Sequence, residues 1–353
     1  MRKRIVYWCI LLTLLLGVAG CKGAKASNEV ALITDGGTVE DGEYNQSCYA
    51  GMKKFCDEKG ISCAYYVPEY GNTDSYLVQI ENAVKDGSKI VVCPSYMLEE
   101  AVYHAAEKYP KVDFVLVDGM PHNSDYTDFS IAENILPITF SEEEAGFLAG
   151  YAAVRDGYKR LGFLGGMAEE SVIRYGYGFV QGADYAGIEL GEKVYIAYTY
   201  TGTFSKDQGV QDMAGVFYDY SVEAIFACGG ASGDSVMDAA EEKGGAVIGC
   251  DYDHAIESPA VVFSCVKNMD TAVYGALNDY YSGNFKGGIE RHLTAAENGI
   301  SLTMDDAKFN EFSQIEYDAI YNELSSKEIV PYAQTDIGTT AELNLVNTEI
   351  IYQ

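Results

Sequence analysis

Six apolar runs in this 353-residue chain stop on residues that suit binding better than packing. Residues 30–34 run into Asp35, and 114–117 end at Asp118. Residues 161–164 end at Gly165-Gly166, 225–228 at Gly229-Gly230, 247–250 at Asp251, and 261–266 at Lys267. Carboxylates accept hydrogen bonds and an ammonium donates them. Such charge-assisted bonds are roughly twice as strong as neutral ones. Glycine pairs let a ligand approach the backbone. Together these groups suit a cleft that holds a polar small molecule by hydrogen bonds.

The same inventory is poor in catalytic parts. The four histidines, His104, His122, His254 and His292, stand apart with no nucleophile motif beside them. No CxxC pair occurs, so neither a zinc site nor any other metal is expected. Neither GxxxxGK[ST] nor a strand-coupled GxGxxG is present, so no cofactor is expected either.

The elements that position these residues repeat. Apolar runs rich in β-branched residues fall at 30–34, 63–67, 90–94, 114–118 and 130–135. A second series follows at 161–165, 194–198, 224–228, 247–251 and 261–266. Amphipathic stretches lie between them, such as 46–59, 76–85, 98–109, 143–154, 178–185, 209–218 and 235–242. Continuous apolar runs suggest parallel strands covered on both faces, and their alternation with helices implies βαβ units. The two series are offset by roughly 130 residues throughout. The expected fold is therefore α/β, with two similar doubly wound, Rossmann-like lobes in tandem. Sheets of this kind bind ligands beyond the carboxyl ends of their strands. Two facing lobes would close on one molecule by a hinge.

The N-terminus reads as a separate object. Arg2, Lys3 and Arg4 precede an apolar run at 5–16, then Gly17-Val18-Ala19-Gly20-Cys21. This is the layout of an export signal, and the run is too short for a membrane span of roughly 20 residues. Removing residues 1–20 deletes three basic and no acidic residues, which takes the net charge from −29 to −32. Such an acidic chain has no basic stripe for nucleic acid. Seven cysteines remain after the leader and Cys21, most of them inside apolar runs where cysteine packs as a small hydrophobe. Cys56 and Cys63 are close enough for a local bridge or for two separate thiols.

Several segments together resemble the basic membrane protein family of nucleoside-binding lipoproteins, receptors of the type I solute-binding fold. Residues 35–46, with Tyr44-Asn45-Gln46 opening a helix, look like its Asp…Phe-Asn-Gln start. Residues 140–150 look like Phe-x-x-x-Glu-Ala-x-x-Leu-Ala-Gly, and 161–166 like its Gly-Phe-x-Gly-Gly strand. Residues 175–182 resemble Phe-x-x-Gly-Phe-x-x-Gly, 248–253 resemble Ile-Gly-Val-Asp-x-Asp, and 264–267 resemble Ser-x-x-Lys. The resemblance spans about 28–332, and the Val-Ala-Gly-Cys ending resembles a bacterial lipobox.

The resemblance implies a site. Tyr44 and Tyr175, Phe in the usual pattern, would sandwich a nucleoside base. Asp251 would bind ribose hydroxyls with Lys267 beside it. Asp35, Asn45 and Asp118 would stand near base or ribose, and Gly229 and Gly230 would admit the ligand to the backbone. It also implies lipidation at Cys21, anchoring on the extracytoplasmic face of the membrane, delivery to an ABC transporter permease, and no enzymatic activity. The ligand expected is an uncharged nucleoside and not a nucleotide, and the resemblance implies a purine nucleoside. A sugar or autoinducer receptor of the same fold is the alternative, and a nucleoside-processing enzyme a more distant one.

The implied organisation is a signal peptide at 1–20, a tether at 21–28, and two lobes joined by three hinge crossings. One lobe would be 28–134 plus 259–285 and the other 135–258 plus 286–333. An extension at 334–353 follows, in which the alternation at Leu343, Leu345 and Ile350-Ile351 suits an added edge strand.

Overall fold

The computed structural model describes residues 28–40 and 42–353. The leader, Cys21 and most of the expected tether lie outside the described residues. Two sheets organise the rest. The first has the order β2-β1-β3-β4-β5-β11 and the second β13-β7-β6-β8-β9-β10-β12. In the first sheet these are β1 (Val30–Ile33), β2 (Cys63–Tyr66), β3 (Ile90–Pro94), β4 (Asp113–Val117), β5 (Ile135–Phe140) and β11 (Arg291–Leu293). In the second they are β6 (Arg160–Gly165), β7 (Val194–Tyr200), β8 (Ala224–Cys228), β9 (Ala246–Asp251), β10 (Val261–Lys267), β12 (Ile300–Leu302) and β13 (Thr348–Tyr352). All pairings are parallel except β10 with β12.

The tandem repeat is visible in the strand order. Strands β1 to β5 and β6 to β10 occupy matching places in their sheets. The helices are α1 (Tyr44–Lys59), α2 (Thr73–Lys85), α3 (Glu99–Lys108), α4 (Glu142–Arg155), α5 (Glu170–Leu190), α6 (Gln208–Asp219), α7 (Ser232–Lys243), α8 (Met269–Tyr281) and α9 (Gln314–Ser325). They cover both sheet faces. In β1, Val30 and Leu32 join one apolar cluster while Ala31 and Ile33 join another, and all four are fully buried. Burying one such Val, Leu or Ile contributes about 1.5–3 kcal/mol. Helix α1 buries Cys48, Gly51, Met52, Phe55 and Cys56, the i, i+3, i+4, i+7, i+8 stripe of a helix laid on a sheet.

The chain passes between the lobes after β5 into α4, after β10 into α8, and between β11 and β12. Each passage lies later than the expected boundaries at 134, 258 and 285. Strand β5 pairs with β4 in the first sheet, and β10 pairs with β9 in the second. An apolar run shows that a strand exists, whereas its partner is fixed by register, which the run does not display. The fifth strand also moves from the expected 130–135 to Ile135–Phe140. Pro137 inside it lacks a ladder donor and argues in sequence against a strand there. Residues 348–352 form an edge strand on β7, and the buried Asp184 carboxylate of α5 holds the approach to it by accepting from the backbone N–H groups of Val346 and Asn347.

Helices α4 and α5 pack with almost no gap. A Cβ on Gly146 or Gly150 would lie 2.1 Å from the carbonyl oxygen of Tyr175 or Phe179. One on Gly178 or Gly182 would lie 1.9 Å from that of Glu143 or Phe147. The paired small-x-x-x-small spacings therefore let each backbone rest on the other. The crossing fixes Glu142, at the start of α4, against Arg174 and Tyr175 of α5. Cys56 and Cys63 are separate thiols. A hydrogen bond from Cys56 holds the Cys63 thiol down at about 7, against the opposing push of burial.

Candidate functional site

The centre of the lobe junction is the Lys267 ammonium, at the carboxyl end of β10 and 2% exposed. Its Nζ lies 2.9 and 2.8 Å from the two Asp118 oxygens, 3.0 Å from Glu142 Oε1 and 3.3 Å from Asp251 Oδ1. Asp118 follows β4 and Asp251 ends β9, the corresponding strands of the two sheets. Both have left-handed backbones, with φ of 62° and 69°. Aspartate enters that region more readily than most non-glycine residues. The two lobes thus present equivalent carboxylates to one cation.

Around this core, the Tyr44 hydroxyl donates to Asp118 Oδ2 at 2.9 Å and the Tyr175 hydroxyl to Asp251 Oδ1 at 2.9 Å. Arg174 Nε donates to Glu142 Oε2 at 2.6 Å. Burial alone would neutralise these groups. For Lys267 burial lowers the pKa, but Asp118, Asp251 and Glu142 together raise it well above the lysine range. Glu142 is held below the carboxylate range because Lys267 and Arg174 outweigh burial. Asp118 is raised, since burial and the neighbouring carboxylates outweigh Lys267. With the carboxyl groups ionised, three carboxylates face two cations, a surplus of acceptors suited to the hydroxyls of a neutral ligand.

The remaining sequence-derived residues divide. Asp35 and Asn45 form a reciprocal pair: Asn45 Nδ2 donates to Asp35 Oδ1 at 2.7 Å, and the Asp35 N–H donates to Asn45 Oδ1 at 3.1 Å. Tyr76 locks the Asp35 carbonyl at 2.7 Å. Gly229 packs on Gly166, and Gly230 lies against Phe204, at the end of β8. Tyr44 is partly buried and meets Tyr252 of the other lobe edge to face, with ring centroids 6.5 Å apart. Tyr175 is 1% exposed, with its ring edge-on to Phe226; it meets the cluster through both its hydroxyl, on Asp251, and its ring, whose centroid lies 5.5 Å from Lys267 Nζ. His254 is buried, paired with Glu257 at 2.8 Å and with the Cys250 carbonyl at 3.0 Å.

Two members, Glu142 and Arg174, were absent from the sequence-derived set. Glu142 is 1% exposed, yet it belongs to a Glu142-Glu143-Glu144 helix start that reads as ordinary first-turn acids. The available signal was the small-x-x-x-small spacing, which presses α4 onto α5.

Known proteins resemble this chain over most of its length. The Bmp family, described as "ABC transporter substrate-binding protein PnrA-like", matches residues 28–335. Basic membrane protein D of Borreliella burgdorferi (strain JD1) is 28% identical over 320 residues, 89% of this chain and 90% of that protein. The "ABC transporter nucleoside-binding protein BmpA" of Lactococcus lactis subsp. cremoris is 25% identical and covers 87% of this chain and 93% of its own length. A solved solute-binding protein of an ABC transporter system from Aeropyrum pernix K1 superposes with a TM-score of 0.68 at 19% identity, over 88% of this chain and 95% of that one.

Proposed function

The chain belongs to the Bmp family of PnrA-like ABC transporter substrate-binding proteins, and from that premise we propose that it captures a nucleoside, a purine nucleoside first, between its lobes. The family is the solute-binding component of ABC transporters, a binding role and not a catalytic one, and its members act outside the cytoplasm or at the membrane. A small-molecule ligand and a permease partner follow from that membership. Among the described residues no helix is long and apolar enough to cross a membrane.

One observation carries the nucleoside reading. Asp118 and Asp251, from corresponding strand ends of the two lobes, converge on Lys267 with Glu142 behind it. Vicinal ribose hydroxyls need adjacent acceptors, and this cluster supplies them with their charge largely offset. Tyr44 and Tyr252 offer ring surface for a base at the same junction. Asp35 and Gly229-Gly230, which follow β1 and β8, and Asn45, at the start of α1, are the further candidate ligand contacts. Tyr175 acts through its hydroxyl on Asp251. The Lactococcus relative's name points to the same ligand class.

A thermal-shift screen of nucleosides, free sugars and amino acids tests this. A purine nucleoside at about 100 times its Kd should stabilise the fold by about 2.7 kcal/mol. Asp251→Asn should abolish the shift while the protein stays folded. Silence toward all nucleosides, with a response to a sugar that Asp251→Asn abolishes, would move the assignment to a sugar receptor at the lobe junction.

Anchoring through a lipid on Cys21, with delivery of the ligand to the permease, completes the proposal. Cells fed a palmitate analogue should label the native chain, and Cys21→Ala should lose the label and the membrane-bound fraction. A labelled or still membrane-bound Cys21→Ala chain would refute the anchor.

A further inference from the structure

A second cavity, separate from the lobe junction, lies at the carboxyl ends of β7 and β13. Its volume is about 290 Å³. Its walls include Tyr198 and Tyr200 of β7, Ile173 and Tyr177 of α5, and Thr340 and Tyr352 of the C-terminal extension. The family match stops at residue 335, so the wall made by Thr340 and Tyr352 belongs to a part of the chain outside it. No Lys, Arg, His, Asp or Glu lines it. The carboxyl ends of parallel strands are where doubly wound sheets place ligands.

Its hydrogen bonds do not close internally. Tyr198 and Tyr200 share one bond at 3.0 Å, and Thr340 and Tyr352 share another at 2.8 Å. Each pair spends one hydroxyl proton and keeps one to donate. The Tyr177 hydroxyl is buried without a partner among the described residues, on a side chain only 3% exposed. After burial, Tyr200, Glu342 and Tyr352 raise its pKa further, and two of these three line the cavity. Burial pushes that phenol up to about 12, so it remains a donor at neutral pH. A buried, unpaired hydroxyl is costly, and a native fold seldom keeps one without a use.

We propose that this cavity is a second binding site, for an uncharged, polyhydroxylated ring such as a pyranose or a cyclitol. The unspent donors of Tyr177, the Tyr198–Tyr200 pair and the Thr340–Tyr352 pair meet acceptors on such a ring, while the tyrosine faces cover its apolar side. The absence of Lys, Arg or His in the lining disfavours phosphates and carboxylates, whose desolvation would go uncompensated.

Calorimetry on the full chain with glucose, galactose, mannose and myo-inositol tests the assignment. At least one should bind saturably at one per chain. Tyr177→Phe should weaken it about tenfold, the loss of one hydrogen bond. The same variant should melt higher than the native chain without ligand, because it removes an unpaired hydroxyl, and should leave nucleoside binding intact. Thr340→Val, on the opposite wall, should weaken the ring ligand as well. Asp251→Asn should leave it bound. No binding by any of the four probes overturns the proposal. So does binding that survives Tyr177→Phe and Thr340→Val but is lost with Asp251→Asn, because that ligand sits at the lobe junction.

Discussion

Lys267→Met should abolish ligand capture and cost about 3–5 kcal/mol of stability, the range measured when one partner of a buried ion pair is removed. The ammonium is 2% exposed and touches three carboxylates. Arg174 can still neutralise Glu142, but Asp118 and Asp251 lose the ammonium that pairs with both, and methionine restores volume without charge. Asp118 already titrates above the carboxylate range, chiefly through burial, and Lys267 is what restrains it. A carboxyl whose folded pKa is raised stabilises the fold below its unfolded pKa, about 3.9, and loses that contribution as pH rises through the folded value. The deficit of Lys267→Met should therefore be larger at pH 7 than at pH 5. Adding Asp118→Asn should recover part of it, since neighbours in one network couple by about 0.5–3 kcal/mol. Denaturant unfolding at both pH values, with a nucleoside titration, reads all three effects. A variant that melts with the native chain at pH 7 and still binds would show that the cluster does not hold the junction.

The strand ends of this cluster were legible before the structure, for a physical reason. A parallel strand buried on both faces is a continuous apolar run, so the first polar residue after it marks the sheet's carboxyl edge. Asp118, Asp251 and Lys267 announce themselves in that way. Glu142 does not, because Glu142, Glu143 and Glu144 are indistinguishable in sequence. Only packing sends Glu142 to Lys267 and Arg174, while Glu144 accepts from the Ala295 backbone at 2.6 Å. The tandem repeat was legible from spacing, but the places where the chain changes lobe were not. Those depend on whether β5 and β10 find partners in one sheet or the other, a matter of register. Tyr175 illustrates the same limit: the family resemblance places it at the site, but the burial of its ring against Phe226 and Lys267, with its hydroxyl on Asp251, is decided by packing.

Gly178→Ala should invert the usual sign of a helical glycine substitution. In an exposed helix interior, alanine is favoured over glycine by about 1 kcal/mol. Gly275 of α8 is half-buried but has nothing within 4 Å of an added Cβ, and Gly275→Ala should stabilise the chain by up to about that amount. At Gly178 the new methyl would stand 1.9 Å from the Glu143 carbonyl oxygen. No side-chain rotation relieves a contact between a Cβ and a backbone, so α4 and α5 must part. Overpacking of this kind costs about 1–3 kcal/mol and occasionally more, which outweighs the propensity gain. The damage should reach the site, because the crossing that Gly178 permits also sets Arg174 against Glu142 at 2.6 Å. Separating the helices would loosen Glu142 and, through it, one of the three contacts of Lys267. Gly178→Ala should thus lower both Tm and nucleoside affinity, while Gly275→Ala raises Tm and leaves affinity alone. If the two variants melt alike, the glycines are incidental to the crossing. If Gly178→Ala lowers Tm but binds as the native chain does, the crossing supports the fold without positioning the cluster.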